Sequence, residues 1–503
     1  MKKNNILKVV LVSLFIAVLL TWIFPMTTYS GGLDESKTHN IVGLFTLINY
    51  VPTVLQNFSH VGFYILIVGG FYGVLHSISG YRNLLDKIVK GFKGRECLFI
   101  VISIALIAIM TAMARMGVAV LFLFPFIGAI LLLMGYDKIT VAMVTAGGVA
   151  VGLMGTVFSL PPLEAQTDLA NQLLSFSAIK EALFSTVDPA VLDKTVALSE
   201  WGVKLIILAI GIAVLSFNTV MYAKKHKKAV KEEAKEEESI YIPETKKKKE
   251  SFLPLAIVFD ITLIIMILSF LSWSNVFGQT WFVDVTEKIA TLKVFSHPIF
   301  LYILGGNYGA DVVPEFAGVI FGSWSLYELS GLIIIAALVI AFIYRIKANE
   351  FIQSFMTGVK MALKPAVIVT LVYLILVISV LNPVILTIVK PILTITNGFN
   401  IVTMSIAAFV TSVLGVDLYY SAPQILEYSV SLVNNASYHP LMALVWQGMT
   451  GLAALIAPTS VVLVATLSYF KVSYVSWLKA TWKMLVEIFL ALLIIFLIMF
   501  VII

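Results

Sequence analysis

Gly147-Gly148-Val149-Ala150-Val151-Gly152-Leu153-Met154-Gly155-Thr156 and Gly448-Met449-Thr450-Gly451-Leu452-Ala453-Ala454-Leu455-Ile456-Ala457, the second continuing into Pro458-Thr459-Ser460, lie about 300 residues apart inside long apolar segments. They read as one broken helix used twice. Glycine lowers helix propensity and proline removes a backbone donor. Each interruption therefore frees polar backbone groups, which membrane depth tolerates only against protein or a water-filled cavity. A matched pair of breaks in the two halves of a membrane chain marks the binding site of a transporter.

The surrounding composition fits that reading. Of 503 residues, 60% are hydrophobic and 12% charged, and apolar runs repeatedly exceed the roughly 18 residues that mark a membrane-spanning helix. An all-α polytopic protein of a bacterial inner (plasma) membrane is expected, with the lipid bilayer as its first partner. The excess of Lys and Arg sits beside apolar spans in the positive-inside pattern, which excludes nucleic acid as a partner. The single cysteine, Cys97, excludes a disulfide framework and a Cys-based metal cluster. No nucleotide loop, nucleophile elbow or His-x-x-x-His pair occurs, so neither an enzyme, an ATP-driven pump, a cofactor nor a metal is expected.

Flanking charges order the spans. Lys2, Lys3 and Lys8 place the N-terminus in the cytoplasm, with Leu7 to Phe24 as the first span and Thr27 to His60 as an external loop. The span Val61 to Ile78 returns to Arg82, Lys87, Lys90, Lys93 and Arg95 inside. Cys97 to Met134 forms a helical hairpin, interrupted at Arg115 and Gly117, that either crosses fully or re-enters. Ile139 to Ser159 goes out, Pro161 to Glu200 is an acidic external segment, and Gly202 to Tyr222 returns. Ten Lys and seven Glu between Lys224 and Glu250 make a solvated cytoplasmic linker, residues 223–251, between the halves. Further spans are expected at Phe252 to Trp273, Leu326 to Arg345, Pro365 to Leu381, a second hairpin within 399–433, Pro440 to Ala457, and Met484 to Ile503. The total is about 11 to 13 membrane segments.

An offset of about 300 residues superimposes the halves. It matches the Val61 span to the Pro365 span, the hairpins to each other, Pro125 to Pro423, Gly117 to Gly415, the two breaks, and the terminal spans. The charges orient these copies oppositely, so two inverted repeats are expected, 1–222 and 326–503, each with a hairpin and a broken helix (139–160 and 440–460). Residues 252–325 supply the connecting span and an external loop. Amphipathic stretches, Tyr81 to Lys93 and Asn382 to Asn397, follow the matched spans and suit the interface plane.

With the repeat in view, the chain resembles the YfcC-type family of the ion transporter superfamily, near the anaerobic four-carbon dicarboxylate carriers. The resemblance is carried by Leu66-Ile67-Val68-Gly69-Gly70-Phe71-Tyr72-Gly73-Val74, Gly135-Tyr136-Asp137, Gly451 to Ser460, and Tyr474-Val475-Ser476-Trp477-Leu478-Lys479. It implies hairpin tips and broken helices that hold a substrate carboxylate and a coupling cation while a transport domain moves against a scaffold. This chain departs from the pattern where relatives carry Glu-Glu, having Val118-Ala119. It has Ser412-Val413-Leu414-Gly415-Val416-Asp417 in place of a Ser-rich tip, and Ser159-Leu160-Pro161 and Ala454 in place of the break asparagines.

These residues define the candidate site. Arg115 lies midway along an apolar run, where a charge is costly enough to mark function, or else caps an external turn and snorkels. Gly155, Thr156 and Ser159 at the first break, and Gln447, Thr450, Pro458, Thr459 and Ser460 at the second, supply hydroxyl, amide and backbone groups for substrate or reseal the backbone. Asp417, with Gly415 and Ser412, is the candidate for a coupling cation or proton, or a water-exposed turn. The expected function is secondary active transport of a small organic anion or amino acid by alternating access of the elevator type, the expected substrates being a dicarboxylate or a basic amino acid in exchange. A homodimer is the expected assembly, and a degenerate relative with a sensing role is the competing reading.

Overall fold

The computed structural model describes residues 6–29, 35–114, 116–157, 201–227, 241–243, 250–271, 273, 280–282, 284–285, 293–294, 297–298, 321–322, 324–396, 399–415 and 438–502. Their architecture is almost wholly helical. The helices are α1 (Ile6–Ile23), α2 (Leu44–His76), α3 (Ser79–Gly91), α4 (Glu96–Ala114), α5 (Phe124–Leu133), α6 (Lys138–Met154), α7 (Trp201–His226), α8 (Leu253–Phe270), α9 (Leu326–Ile343), α10 (Ala348–Leu381), α11 (Ile385–Leu393), α12 (Ile401–Leu414), α13 (His439–Ala454), α14 (Val461–Tyr469) and α15 (Tyr474–Ile502). A 3₁₀ turn, Ala119–Leu123, precedes α5. Among the described residues eight helices are long and apolar enough to cross a membrane by length and composition, and four shorter apolar helices join them.

Three spans begin earlier than hydropathy indicates. α2 starts at Leu44, not Val61, so the expected external loop ends sooner and instead holds an antiparallel hairpin, Met26–Tyr29 with Glu35–Thr38. α10 starts at Ala348, not Pro365, and α15 at Tyr474, not Met484. Glu350, Lys360 and Lys364 in one, and Lys479 and Lys483 in the other, lower local hydropathy without breaking the helix. Packing supplies what composition conceals. α2 and α10 cross so closely that a Cβ on Gly358 would lie 2.0 Å from Gly69 O, and one on Gly73 2.2 Å from Ser354 O. Such small-residue contacts hold membrane helices together where no hydrophobic difference from lipid is available. Phe58 stacks on Tyr373 across the same pair, with ring centroids 4.2 Å apart.

On α15 the residues Trp477, Thr481, Met484, Ile488, Leu492 and Phe496 are buried at three- and four-residue steps. Trp482, Val486, Leu490 and Ile494 between them are exposed. One face packs on protein and the other is left apolar for lipid. The turn Gly135-Tyr136-Asp137 also has a local cause: Gly135 takes φ 85°, and Asp137 caps α6 by accepting from Thr140 N at 2.8 Å. Tyr222 Oη donates to the other Asp137 oxygen at 3.0 Å, tying α7 to that cap. The amphipathic stretches form α3 and α11.

Candidate functional site

Each broken helix is built against its own half before it meets the other. α6 runs without interruption through Gly147, Gly148 and Gly152, and α13 through Gly448 and Gly451. The glycine clusters are therefore places of close packing, and the breaks fall just beyond them, at Gly155–Val157 and at Leu455–Ser460. Gly152 shows why: a Cβ there would lie 2.5 Å from Thr111 Cβ and 2.6 Å from Ala108 O of α4.

At the first break, Thr156 Oγ1 donates back to Gly152 O at 3.1 Å, and Val157 N donates to Ala112 O on α4 at 3.1 Å. Two carbonyls released by the break, Met154 O and Thr156 O, accept from a single group of the other half, Gln447 Nε2, at 3.1 and 2.7 Å. Two carbonyl partners fix the amide orientation, since only the nitrogen end donates. Gly451, one turn beyond Gln447, lies against Met154, where a Cβ would sit 2.4 Å from Met154 N. The two breaks, far apart in sequence, thus meet in space.

The second break is sealed by α15. Trp477 Nε1 donates to Leu455 O at 2.7 Å, and Tyr474 Oη donates to Ile456 O. Ser460 N closes on Ala457 O at 3.0 Å. The end of α12 joins the cluster: Ser412 Oγ and Thr450 Oγ1 are 2.8 Å apart, and Thr459 Oγ1 donates to Val413 O at 3.1 Å. Ser412, Gln447, Thr450, Thr459 and Ser460 are all buried, whereas Thr156 and Pro458 are partly accessible.

Two polarities face this cluster. α14 starts at the second break with Ser460 as its N-cap and no side-chain capping bond, so first-turn N–H groups and the positive end of the helix dipole are presented there. α4 and α12 end nearby with carbonyl groups, and each carries a buried threonine hydroxyl without a hydrogen-bond partner, Thr111 and Thr411. Donors suit a carboxylate; carbonyl and hydroxyl oxygens suit a cation. Among the described residues no group of three or more His, Cys, Asp or Glu gathers.

Of the residues singled out in the sequence, Gly155, Thr156, Gln447, Thr450, Pro458, Thr459, Ser460, Ser412 and Gly415 lie at or beside this meeting point. Gly155 has a packing role there, a Cβ on it meeting Leu208 Cβ at 2.6 Å, while Gly415 has open space around it. Arg115, Ser159 and Asp417 lie outside the described residues. Sequence reading gave no role to Tyr474 and Trp477, although an aromatic N–H or O–H just after a broken helix is a fitting donor for freed carbonyls. Nor did it give a role to Tyr64 and Tyr72, whose hydroxyls donate to Ala119 O at 2.5 Å and Phe122 O at 2.7 Å and so tie α2 to the 3₁₀ turn.

Among solved structures, the YdaH transporter of Alcanivorax borkumensis, described as having an unusual topology, is similar over 98% of this chain and 97% of its own, at 11% identity and a TM-score of 0.41. No curated protein matches the chain. The family model described as DcuC, C4-dicarboxylate anaerobic carrier, matches residues 4–160 and 194–502. The chain therefore belongs to the C4-dicarboxylate anaerobic carrier family.

Proposed function

We propose that the protein is a secondary active transporter of small organic anions or amino acids, with four-carbon dicarboxylates foremost and basic amino acids in exchange as the second substrate class. Transport runs by alternating access of the elevator type, coupled to a cation or to counter-substrate. The observation that carries this reading is the joining of two broken helices from opposite halves through Gln447, Met154 and Thr156. It is supported by the Ser412–Thr450 and Thr459–Val413 hydrogen bonds, which draw the end of α12 to the second break.

The halves are read as inverted repeats in the YfcC-type branch of the family. Each contains a long helix, a short amphipathic one, a hairpin helix, a helix ending at a break, and a long closing helix: α2, α3, α4, α6 and α7 in one, α10, α11, α12, α13 and α15 in the other. The glycine crossing of α2 with α10 supports a fixed scaffold, because backbones in contact through Gly69, Gly73 and Gly358 cannot slide without collision. In this mechanism the substrate carboxylate meets Ser460 and the N–H groups of the first turn of α14, while Thr450 and Thr156 supply hydroxyls. The coupling cation meets Thr411, Ser412 and the carbonyls ending α12. Arg115 and Asp417 are assigned to the anion and the cation respectively, and the N-terminus to the cytoplasm.

The test is uptake and counterflow of a radiolabelled four-carbon dicarboxylate, and of lysine or arginine, in proteoliposomes. Saturable flux of the dicarboxylate, lowered in Arg115→Ala and with altered cation dependence in Asp417→Asn, is expected. Absence of flux for every substrate, with no ligand-induced thermal stabilisation of purified protein, defeats the reading. Stabilisation without flux favours a sensor.

A further inference from the structure

Among the described residues, Lys204 is unusual in its burial. It lies in the first turn of α7, its residue is only 1% exposed, and it is the one charged residue among the buried ones. A buried ammonium is costly at membrane depth, and a cation in the first turn of a helix is opposed by the helix dipole. The chain nevertheless keeps a lysine there, beside the first break. α7 lies against α6 with Lys204 level with Gly155: a Cβ on Gly155 would lie 2.9 Å from Lys204 O, and one on Gly211 2.8 Å from Val151 Cγ1 further along the same pair. α7 thus begins level with the first break with a buried lysine in its opening turn, as α14 begins at the second. An ammonium has three donors, so a carboxylate can join whatever Lys204 already meets.

We infer that Lys204 is a substrate-selecting residue, the positive pole that receives one carboxylate of a dianionic substrate while the start of α14 receives the other. The inference rests on the transporter reading and adds to it the reason for preferring two carboxylates to one. The matching cargo is a short dicarboxylate whose two charges span the joined breaks. A monocarboxylate, or a mono-amide of the same length, satisfies only one pole.

The experiment compares wild type, Lys204→Arg, Lys204→Gln and Lys204→Met, reconstituted as the full chain, in uptake of labelled succinate with butyrate and succinamate as competitors. Loss of one charge-assisted hydrogen bond predicts a rise in the succinate KM of roughly 10- to 100-fold in Lys204→Gln. Inhibition by butyrate and succinamate should change little, so the preference for two carboxylates collapses. Lys204→Arg should retain most of that preference. Lys204→Met, which replaces a buried charge by an apolar chain of similar length, should show the same collapse if the glutamine variant does not fold. Wild-type selectivity in either neutral variant, or equal losses for all three compounds, overturns the inference and makes Lys204 a structural residue. A wild-type protein that moves none of these anions overturns the transporter reading itself, and the inference with it.

Discussion

Gly451→Ala tests whether the two breaks work as one unit. The added Cβ would lie 2.4 Å from Met154 N and 2.8 Å from Met154 Cα, both backbone atoms that no rotamer change moves away. Ordinary contact begins at 3.4 Å, so α13 and the end of α6 must separate by about 1 Å. The Gln447 bonds to Met154 O and Thr156 O, now 3.1 and 2.7 Å, pass through this same contact. A separation of that size stretches both beyond roughly 3.5 Å, where little hydrogen-bond energy remains. A lost bond between membrane helices typically costs about 0.6 to 1.7 kcal/mol, so the pair amounts to ~1–3 kcal/mol. Gly448→Ala is the control on the same helix: its Cβ would meet side-chain atoms alone, nearest the tip of the Phe496 ring at 2.8 Å, and no backbone. Thermal unfolding of purified protein and dicarboxylate counterflow should both fall in Gly451→Ala and stay near wild type in Gly448→Ala. Equal behaviour of the two variants refutes the argument that the breaks depend on this contact.

Other substitutions probe separate parts of the account. Trp477→Phe keeps the ring but removes the donor to Leu455 O, and should lower stability by about 1–2 kcal/mol in thermal or denaturant unfolding. Gly358→Ala puts a methyl 2.0 Å from Gly69 O; because backbone must yield, folded protein recovered from membranes should drop sharply by size-exclusion chromatography. Thr411→Val removes a buried hydroxyl that has no hydrogen-bond partner, so stability without cation should hold or rise while the cation concentration for half-maximal flux increases. An unchanged cation dependence excludes Thr411 as a cation ligand.

Much of this organisation was legible in the sequence because membrane insertion imposes simple rules. Long apolar runs located the helices, and the two glycine-rich stretches lie in helices that end just beyond them. Their reading erred in detail: Gly147 to Gly152 looked like the break itself, whereas Gly148 receives the Ile107 side chain and Gly152 the backbone of α4, and the helix continues through them. Sequence cannot show that distinction, since it depends on a neighbour brought in by tertiary packing. The late starts assigned to α10 and α15 arise because Lys360, Lys364 and Lys479 resemble flanking charges although the helices run on through them. Gln447 was visible as a polar residue near a break. Its role as donor to two carbonyls of the opposite half was not, because nothing local connects position 447 with positions 154 and 156. Lys204 was hidden within an apolar span, where charge counting treats one lysine as a tolerated exception.

The most direct test of the central claim, that the joined breaks hold substrate and are exposed alternately to the two sides, is two-sided labelling at Thr156. Thr156 is partly accessible and its main chain is held by Gln447. In a Cys97→Ser background, Thr156→Cys in oriented proteoliposomes is treated with a membrane-impermeant thiol reagent from either side, with and without a four-carbon dicarboxylate. The account predicts modification from both sides, slowed by the dicarboxylate from each. Modification from one side alone under all conditions, or rates that no dicarboxylate changes, would contradict it.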